Sequence, residues 1–434
     1  MNICVEGLWH LGAVTAACLA SGGHHVSGLD FDNEVVNELT KGFPPIYEPD
    51  LKELINEGII NGNLIFTSDC EKALEKADLV WITYDTPVDD NDQADVKYVI
   101  DRVQRIFPYL TDNMTILISS QLPVGTTREL ENLFKQSYPN TSVTFCYSPE
   151  NLRLGKAINV FKNPDRVVVG LRNDKDREKI VNLFSPFTLN IEWMNVESAE
   201  MTKHAINAFL ATSVVFINEL AEICEKVGAD AKEVERGLKS ESRIGPKSYL
   251  GPGVAFSGGT LARDIDFLIK VSHDLAIPSY LFHAVKASNQ AHKHWAIRKL
   301  EEEFIQLNAR KIALWGLTYK PGTDTLRRSM AIDLCQWLIS HNAQVMVHDP
   351  VVKVLPDFLK EKVRLCLTPI DAIQDTDALI ITTEWPEYKL INSEEIVSKM
   401  KKPIIIDANR FLERTLGFDN RINYLSVGKA KYEL

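Results

Sequence analysis

Asn2-Ile-Cys-Val-Glu6, Gly7-Leu-Trp-His-Leu-Gly12 and Ala13 to Ser21 follow one another as an apolar run, a turn bounded by glycines and a stretch of small residues. In that order they predict a β-strand, a loop and a helix. His25-Val-Ser-Gly-Leu-Asp30 reads as a second strand ending in a carboxylate. Further strands are expected at Leu64-Ile-Phe-Thr, Leu79-Val-Trp-Ile-Thr, Ile116-Leu-Ile-Ser, Val143-Thr-Phe-Cys-Tyr and Val167-Val-Val-Gly, several of them separated by helical sequence. Strands alternating with helices predict a parallel, doubly wound α/β sheet ending near residue 195.

A glycine-rich turn between a strand and a helix lets backbone N–H groups face a pyrophosphate, while a carboxylate ending the next strand takes a ribose diol. Gly7, Gly12 and Asp30 fit this Rossmann-type template, and Asp30 selects NAD because a carboxylate repels the 2′-phosphate of NADP. The middle glycine is replaced by Trp9. The competing reading is a similar domain whose loop is packed by the indole and holds no dinucleotide. Against it, Thr83-Tyr-Asp-Thr86-Pro87 follows a strand at the carboxyl edge, where ligands of open α/β sheets lie.

From Glu197 to about Val227 the pattern becomes one long helix with Gly228 as its C-cap. Some 30 helical residues would extend about 45 Å, enough to bridge domains or supply a dimer face. Helical sequence continues to about 308, interrupted by Ile244-Gly-Pro-Lys-Ser-Tyr-Leu-Gly-Pro-Gly253, a loop composition suited to geometry near a ligand. The strand signature returns at Lys311-Ile-Ala-Leu-Trp-Gly-Leu, followed by a helix from Ser329 to about Ser340, then Gln344-Val-Met-Val-His-Asp349, Ala378-Leu-Ile-Ile-Thr-Thr and Pro403-Ile-Ile-Ile-Asp407. The expectation is two Rossmann-type domains, 1–195 and 309–434, linked by a central helical domain, 196–308.

Length agrees with several domains: 434 residues exceed what one core supports. A net charge of −11 without a basic block argues against a nucleic-acid partner. No uninterrupted apolar run approaches the roughly 18 residues of a membrane span, and the first residues lack the features of a leader, so a cytoplasmic protein is expected. The cysteines at 4, 18, 70, 146, 224, 335 and 366 are scattered without metal spacing and read as reduced and mostly buried. No metal site is expected.

Four segments taken in order resemble the UDP-glucose/GDP-mannose dehydrogenase family. They are Ser148-Pro-Glu-Asn-Leu-Arg-Leu-Gly155 with Asn163-Pro-Asp-Arg166; Glu200-Met-Thr-Lys203-His-Ala-Ile-Asn207; Arg243-Ile-Gly-Pro-Lys247 with Pro252 to Asp264; and Gly316-Leu-Thr-Tyr-Lys320 to Ser329. Pro45-Ile-Tyr-Glu-Pro49, Leu122-Pro-Val-Gly-Thr126 and Thr383-Glu-Trp385 agree with them. The resemblance implies an N-terminal NAD domain, a central dimerisation domain and a C-terminal domain for the nucleotide sugar, most simply a UDP-sugar. It also implies oxidation of the sugar's C6 hydroxymethyl to a carboxylate with two NAD, through an aldehyde and a thioester on cysteine. Lys203 and Asn207 match residues that stabilise an oxyanion, Asp264 a carboxylate that handles the hydroxyl proton, and Glu150 an acid that guides water. Cofactor contacts would come from Gly7, Trp9, His10, Leu11, Gly12, Asp30, Thr86, Gln121 and Arg327. Substrate contacts would come from Leu152, Arg153, Arg243, Tyr249, Phe256, Gly258 and Lys320, with Arg243 reaching across a homodimer.

The sequence departs from that family at the reacting centre. Ser257-Gly-Gly-Thr260-Leu-Ala-Arg-Asp264 carries Thr260 where the family has its nucleophilic cysteine. A thiol ionises near ~8.5, whereas an alkyl hydroxyl needs an adjacent base to attack, so a thioester route is not available at Thr260. Gln121 stands where the family has a threonine, and Leu154 where it has an acid. Three readings follow. One is an oxidoreductase limited to two electrons, oxidising a ring hydroxyl, or passing an aldehyde hydrate through a second oxidation. The others are a redox-neutral isomerase holding NAD tightly and a non-catalytic nucleotide-sugar binder.

Overall fold

The structure is a computed structural model describing residues 1–87, 94–257 and 259–430. The chain forms two units, Met1–Ile206 and Asn207–Leu434, and the division falls inside one helix. In the first unit the strands are β1 (Asn2–Glu6), β2 (His25–Leu29), β3 (Leu64–Thr67), β4 (Leu79–Ile82), β5 (Thr115–Ile118), β6 (Thr144–Tyr147), β7 (Val167–Gly170) and β8 (Ile191–Met194). They form one sheet in the order β3-β2-β1-β4-β5-β6-β7-β8.

All the strand pairs in this sheet are parallel except β6 with β7, which meet antiparallel at Tyr147 and Gly170. The expected parallel, doubly wound sheet is present, and this one antiparallel pair within it is the exception. β8 was also not anticipated. Its Ile191-Glu-Trp-Met lies at the sheet edge with no residue fully buried, so its sequence lacks the apolar run of a central strand.

Both faces of this sheet are covered, which is why β4 and β5 are apolar or small throughout and buried at every position. Alternation along β1 sends Ile3 and Val5 to the face covered by the helix His10–Ser21, and Cys4 to the face packed by Val99, Val103 and Phe134. The small side chains Ala13, Ala16, Ala17 and Ala20 bring that helix close to the sheet.

The second unit holds β9 (Lys311–Trp315), β10 (Gln344–His348), β11 (Val363–Leu365), β12 (Ala378–Ile381), β13 (Ile404–Ile406) and β14 (Asn423–Leu425), all parallel, in the order β11-β10-β9-β12-β13-β14. The three-residue β11 and β14 escape a sequence reading because neither is long enough to show a period.

Both sheets use the same device at the end of their first strand. In the first, the Leu8 N–H donates to Asp30 at 2.6 Å, and the Thr83 hydroxyl donates to the carbonyls of Glu6 and Gly7 at 2.9 and 2.8 Å. In the second, the Leu317 N–H donates to Asp349 at 2.7 Å, and the Thr382 hydroxyl reaches the carbonyls of Trp315 and Gly316 at 3.1 and 2.6 Å.

The helix Val196–Val227 has 32 residues. Contrary to the expectation from uninterrupted runs, it is long and apolar enough to cross a membrane by length and composition, with an 18-residue window of mean hydropathy 1.4. Half of that window is buried inside the protein, and polar residues such as His204, Asn207 and Asn218 break its apolar runs.

Gly12 is fixed by close approach, because a Cβ there would lie 1.7 Å from the Gly7 carbonyl oxygen. Substituting Gly12→Ala is therefore expected to destabilise the protein by about 3 kcal/mol, measured by denaturant unfolding; an unchanged midpoint would contradict this packing.

Candidate active site

In the first unit, Gly7 turns the chain at φ +94°, and Trp9 begins the following helix with an ordinary φ of −74°. The turn therefore needs glycine at position 7 but tolerates a side chain at position 9. The Trp9 indole is 49% exposed. Neither a capping side chain nor an acidic residue in the first turn occupies this helix N-terminus, so its N–H groups remain suited to an anion. Asp30 stands beside the turn, accepting from Leu8 and, at 3.0 Å, from the Asp32 N–H. These features fit a dinucleotide.

The other expected cofactor residues fall into different surroundings. The side chain of Leu11 is buried in the protein, leaving only its backbone for a ligand. His10 is directed to Glu48, its Nε2 3.0 Å from Oε2. Glu48 is itself buried and accepts from the Gly155 and Ala157 N–H groups at 2.7 and 2.8 Å, tying the first loop to the segment after β6. Thr86 donates to the Gln121 carbonyl at 2.7 Å, joining the loops that follow β4 and β5.

One turn of the long helix grips three neighbouring groups. The Lys203 ammonium donates to the Glu150 carbonyl at 2.6 Å and lies 3.5 Å from its carboxylate. His204 Nε2 reaches the Leu122 carbonyl at 3.1 Å. The buried Glu200 carboxylate accepts from the Gly125 N–H, the Thr127 N–H and the Thr127 hydroxyl at 2.7, 3.0 and 2.6 Å. Glu48, Glu200 and His204 were not singled out from the sequence, although the spacing of Glu200 and His204 around Lys203 was available there. Leu152 packs on the core beneath the first helix, while Arg153 is exposed.

In the second unit Asn207 donates through Nδ2 to the Asp264 carboxylate, and both side chains are buried. Asp264 lies on the helix Gly259–Asp274, with the exposed Thr260 one turn earlier. The segment leading to Thr260 is held by side-chain amides. Asn289 exchanges two bonds with the Phe256 backbone at 3.0 and 2.9 Å, Asn218 accepts from the Gly253 N–H at 3.0 Å, and Asn409 accepts from the Val254 N–H at 2.8 Å. The His292 ring sits between the Gly253 carbonyl and Glu222, 2.8 Å from each. Gly258 lies outside the described residues.

Tyr249 is 56% exposed, and the Tyr319 hydroxyl lies 3.4 Å from the Ser257 carbonyl. Lys320 and Arg327 are exposed on the loop after β9, and Arg243 extends into solvent with Glu241 3.0 Å away. Every cysteine is a free thiol. Six are buried, and Cys70 is half-buried. Burial pushes the thiols of Cys18 and Cys335 up to about 12 and that of Cys146 higher still, so none of these three is poised as a thiolate. No cluster of three or more potential metal ligands occurs among the described residues.

Three models of one family match the chain in order: the NAD binding domain of the UDP-glucose/GDP-mannose dehydrogenase family over residues 1–188, its central domain over 197–291 and its UDP binding domain over 313–414. The chain is similar to a UDP-glucose 6-dehydrogenase of Rhizobium meliloti, 34% identical across 99% of this chain and 100% of that protein. It is also similar to the Pseudomonas aeruginosa UDP-glucose 6-dehydrogenase, 32% identical across 99% and 98%. Among solved structures, a UDP-glucose dehydrogenase from Pyrobaculum islandicum superposes with a TM-score of 0.84 at 27% identity, covering 99% of this chain and 98% of the other. With two doubly wound α/β sheets, a glycine turn beside Asp30, three family models matched in order and relatives matched over nearly their whole length, the chain belongs to the UDP-glucose/GDP-mannose dehydrogenase family.

Proposed function

We propose that this protein is an NAD-dependent dehydrogenase acting on a CH–OH group of a nucleotide sugar, most simply a UDP-sugar, and that it stops after one two-electron oxidation. Its dehydrogenase character follows from the family; the early stop rests on Thr260. Three parts are proposed, as 1–195 for the cofactor, 196–308 for dimerisation and the loop before Thr260, and 309–434 for the nucleotide sugar.

Oxidising CH–OH to C=O removes a hydride from carbon and a proton from oxygen. A bound nicotinamide supplies the acceptor for that hydride. Gly7, Gly12 and the uncapped helix N-terminus would hold its pyrophosphate and Asp30 its ribose. Asp264 is assigned the hydroxyl proton, and its bond from Asn207 fixes the orientation of the carboxylate. Lys203 and Asn207, four residues apart on one helix, would stabilise negative charge on the substrate oxygen. The second oxidation of the family proceeds by thiolate addition to the aldehyde, and no thiol stands at position 260.

One NADH per sugar consumed, with an aldehyde or ketone product, is the expected stoichiometry. Two NADH with a uronate would overturn the early stop, while absence of reduction with every nucleotide sugar tried would favour the non-catalytic binder. Thr260→Cys is expected to move the yield toward two. Asp264→Asn should lower kcat by about 10²–10⁴ with UDP-sugar affinity changed only a few-fold; an unchanged kcat would remove Asp264 from the reaction.

A homodimer is part of the same proposal. Phe209, Phe216 and Ile223 recur every seven residues on the long helix and are 71%, 49% and 57% exposed, an apolar stripe suited to a second copy. Phe216→Glu is expected to shift the sedimentation coefficient from dimer to monomer, whereas a monomeric parent protein would refute the dimer.

A further inference from the structure

In the second sheet β9 lies between β10 and β12, so the crevice where a doubly wound sheet takes its ligand opens between the loops after β9 and β12. The loop after β12 is tied to its neighbours. The Thr383 hydroxyl donates to the Thr318 carbonyl after β9 at 2.6 Å, and the Trp385 indole N–H donates to Asp349 after β10 at 3.2 Å. Between Thr383 and Trp385 stands Glu384, half-buried.

Glu384 accepts from Asn409 Nδ2 at 2.7 Å, and Asn409, which follows β13, accepts through Oδ1 from the Val254 N–H. One amide thus spans from the ligand edge of the sheet to the segment that runs on in sequence to Thr260 and Asp264. An asparagine suits this place because its tip offers an oxygen to a backbone N–H and an N–H to a carboxylate at once. The fit is close. A Cβ at Gly253 would lie 2.0 Å from Asn409 Oδ1, and Gly253 does not have a left-handed φ, so the approach of the amide is what excludes a side chain there.

The remaining side-chain ties of this segment come mostly from helices. Asn218 and His292 hold Gly253, and Asn289 holds Phe256. These bonds fix the segment to the helical body. The Asn409 bond instead registers it against the loop after β12, and the Tyr319 hydroxyl near the Ser257 carbonyl adds a contact from the loop after β9.

We propose that Asn409 is a positioning residue for the oxidation: through Glu384 it sets the reach from the nucleotide-binding edge of the second sheet to the loop before Thr260. A nucleoside diphosphate bound at that edge then presents its sugar in register with Asp264. The proposal rests on the reading that this unit holds the nucleotide sugar and that Asp264 takes the hydroxyl proton. It requires no contact between Asn409 and the reacting atoms.

Steady-state NADH formation from UDP-glucose, calorimetric titration with UDP and the thermal midpoint, all on the full-length protein, test it. Asn409→Leu removes both bonds at similar volume. Its kcat should fall roughly 10–100-fold, the cost of a misplaced reacting group, with UDP affinity within about threefold of the parent. Asn409→Asp keeps the acceptor for Val254 but sets a carboxylate against Glu384, and kcat should fall similarly. Adding Glu384→Gln to Asn409→Asp supplies an amide donor facing that carboxylate, with the bond reversed, and should restore kcat to within about threefold of the parent. Simple loss of packing would not be rescued in this way, and the rescue decides the matter even if Asn409→Leu does not fold. A parent-like kcat in Asn409→Leu, UDP affinity falling in step with kcat, or no recovery in a double variant of parent-like thermal midpoint overturns the role of Asn409 alone. Absence of NADH from the parent protein overturns the dehydrogenase reading instead, and the proposal falls with it.

Discussion

The contact between Gly12 and the Gly7 carbonyl sets the geometry on which the first unit depends. A strand running into a helix must reverse within a few residues, and the helix can come back onto the sheet only if no side chain stands between them. A Cβ at Gly12 would lie 1.7 Å from the Gly7 carbonyl oxygen, far inside van der Waals contact. This brings the alanines of the first helix onto Ile3 and Val5, and it leaves the helix N-terminus beside Asp30. The second unit repeats the arrangement with Gly316, Leu317 and Asp349. There the carboxylate also accepts from the Trp385 indole at 3.2 Å and from the Val351 N–H at 3.0 Å, so the same loop is enclosed by protein groups.

Polar side chains on the long helix organise the loops that carry the proposed chemistry. An apolar helix of this length could pack in several rotations, but a buried carboxylate such as Glu200 is stable only where its donors are. Three donors from the segment Gly125–Thr127 meet it, and His204 one turn later meets Leu122. The helix rotation is thereby fixed, and Lys203 is directed to Glu150. Further along, Asn207 and Asn218 on the same helix meet Asp264 and Gly253. Leaving any of these buried groups unpaired would cost on the order of 1–3 kcal/mol, which makes alternative rotations expensive.

The second unit holds a buried acid–amide pair, Asp264 with Asn207, and on the proposed reading a hydroxyl, that of Thr260, stands at the position of the family's thiol. The proposal thereby separates two requirements: removal of hydride and proton, and covalent capture of the product. The buried cysteines cannot restore the second requirement, because Cys146 and Cys335 are held within the sheet and helix cores as neutral thiols.

By itself the sequence determined the strand–turn–helix start, the long helix, the return of a second α/β region and the identity of the residue at position 260. These features are local: strands buried on both faces are written as apolar runs, glycine turns follow directly from backbone sterics, and a missing thiol needs no coordinates to be noticed. Tertiary structure alone decided the antiparallel meeting of β6 and β7, the edge strands β8, β11 and β14, and the partners of Glu48, Glu200 and His10. It also decided that Glu6, which reads as the polar end of an ordinary strand, is enclosed with one oxygen unpaired. The physical reason is that burial and hydrogen bonding of a polar side chain depend on residues distant in sequence. Tyr84 stands 78 positions from Glu6, and nothing in either local segment announces that the fold brings them together.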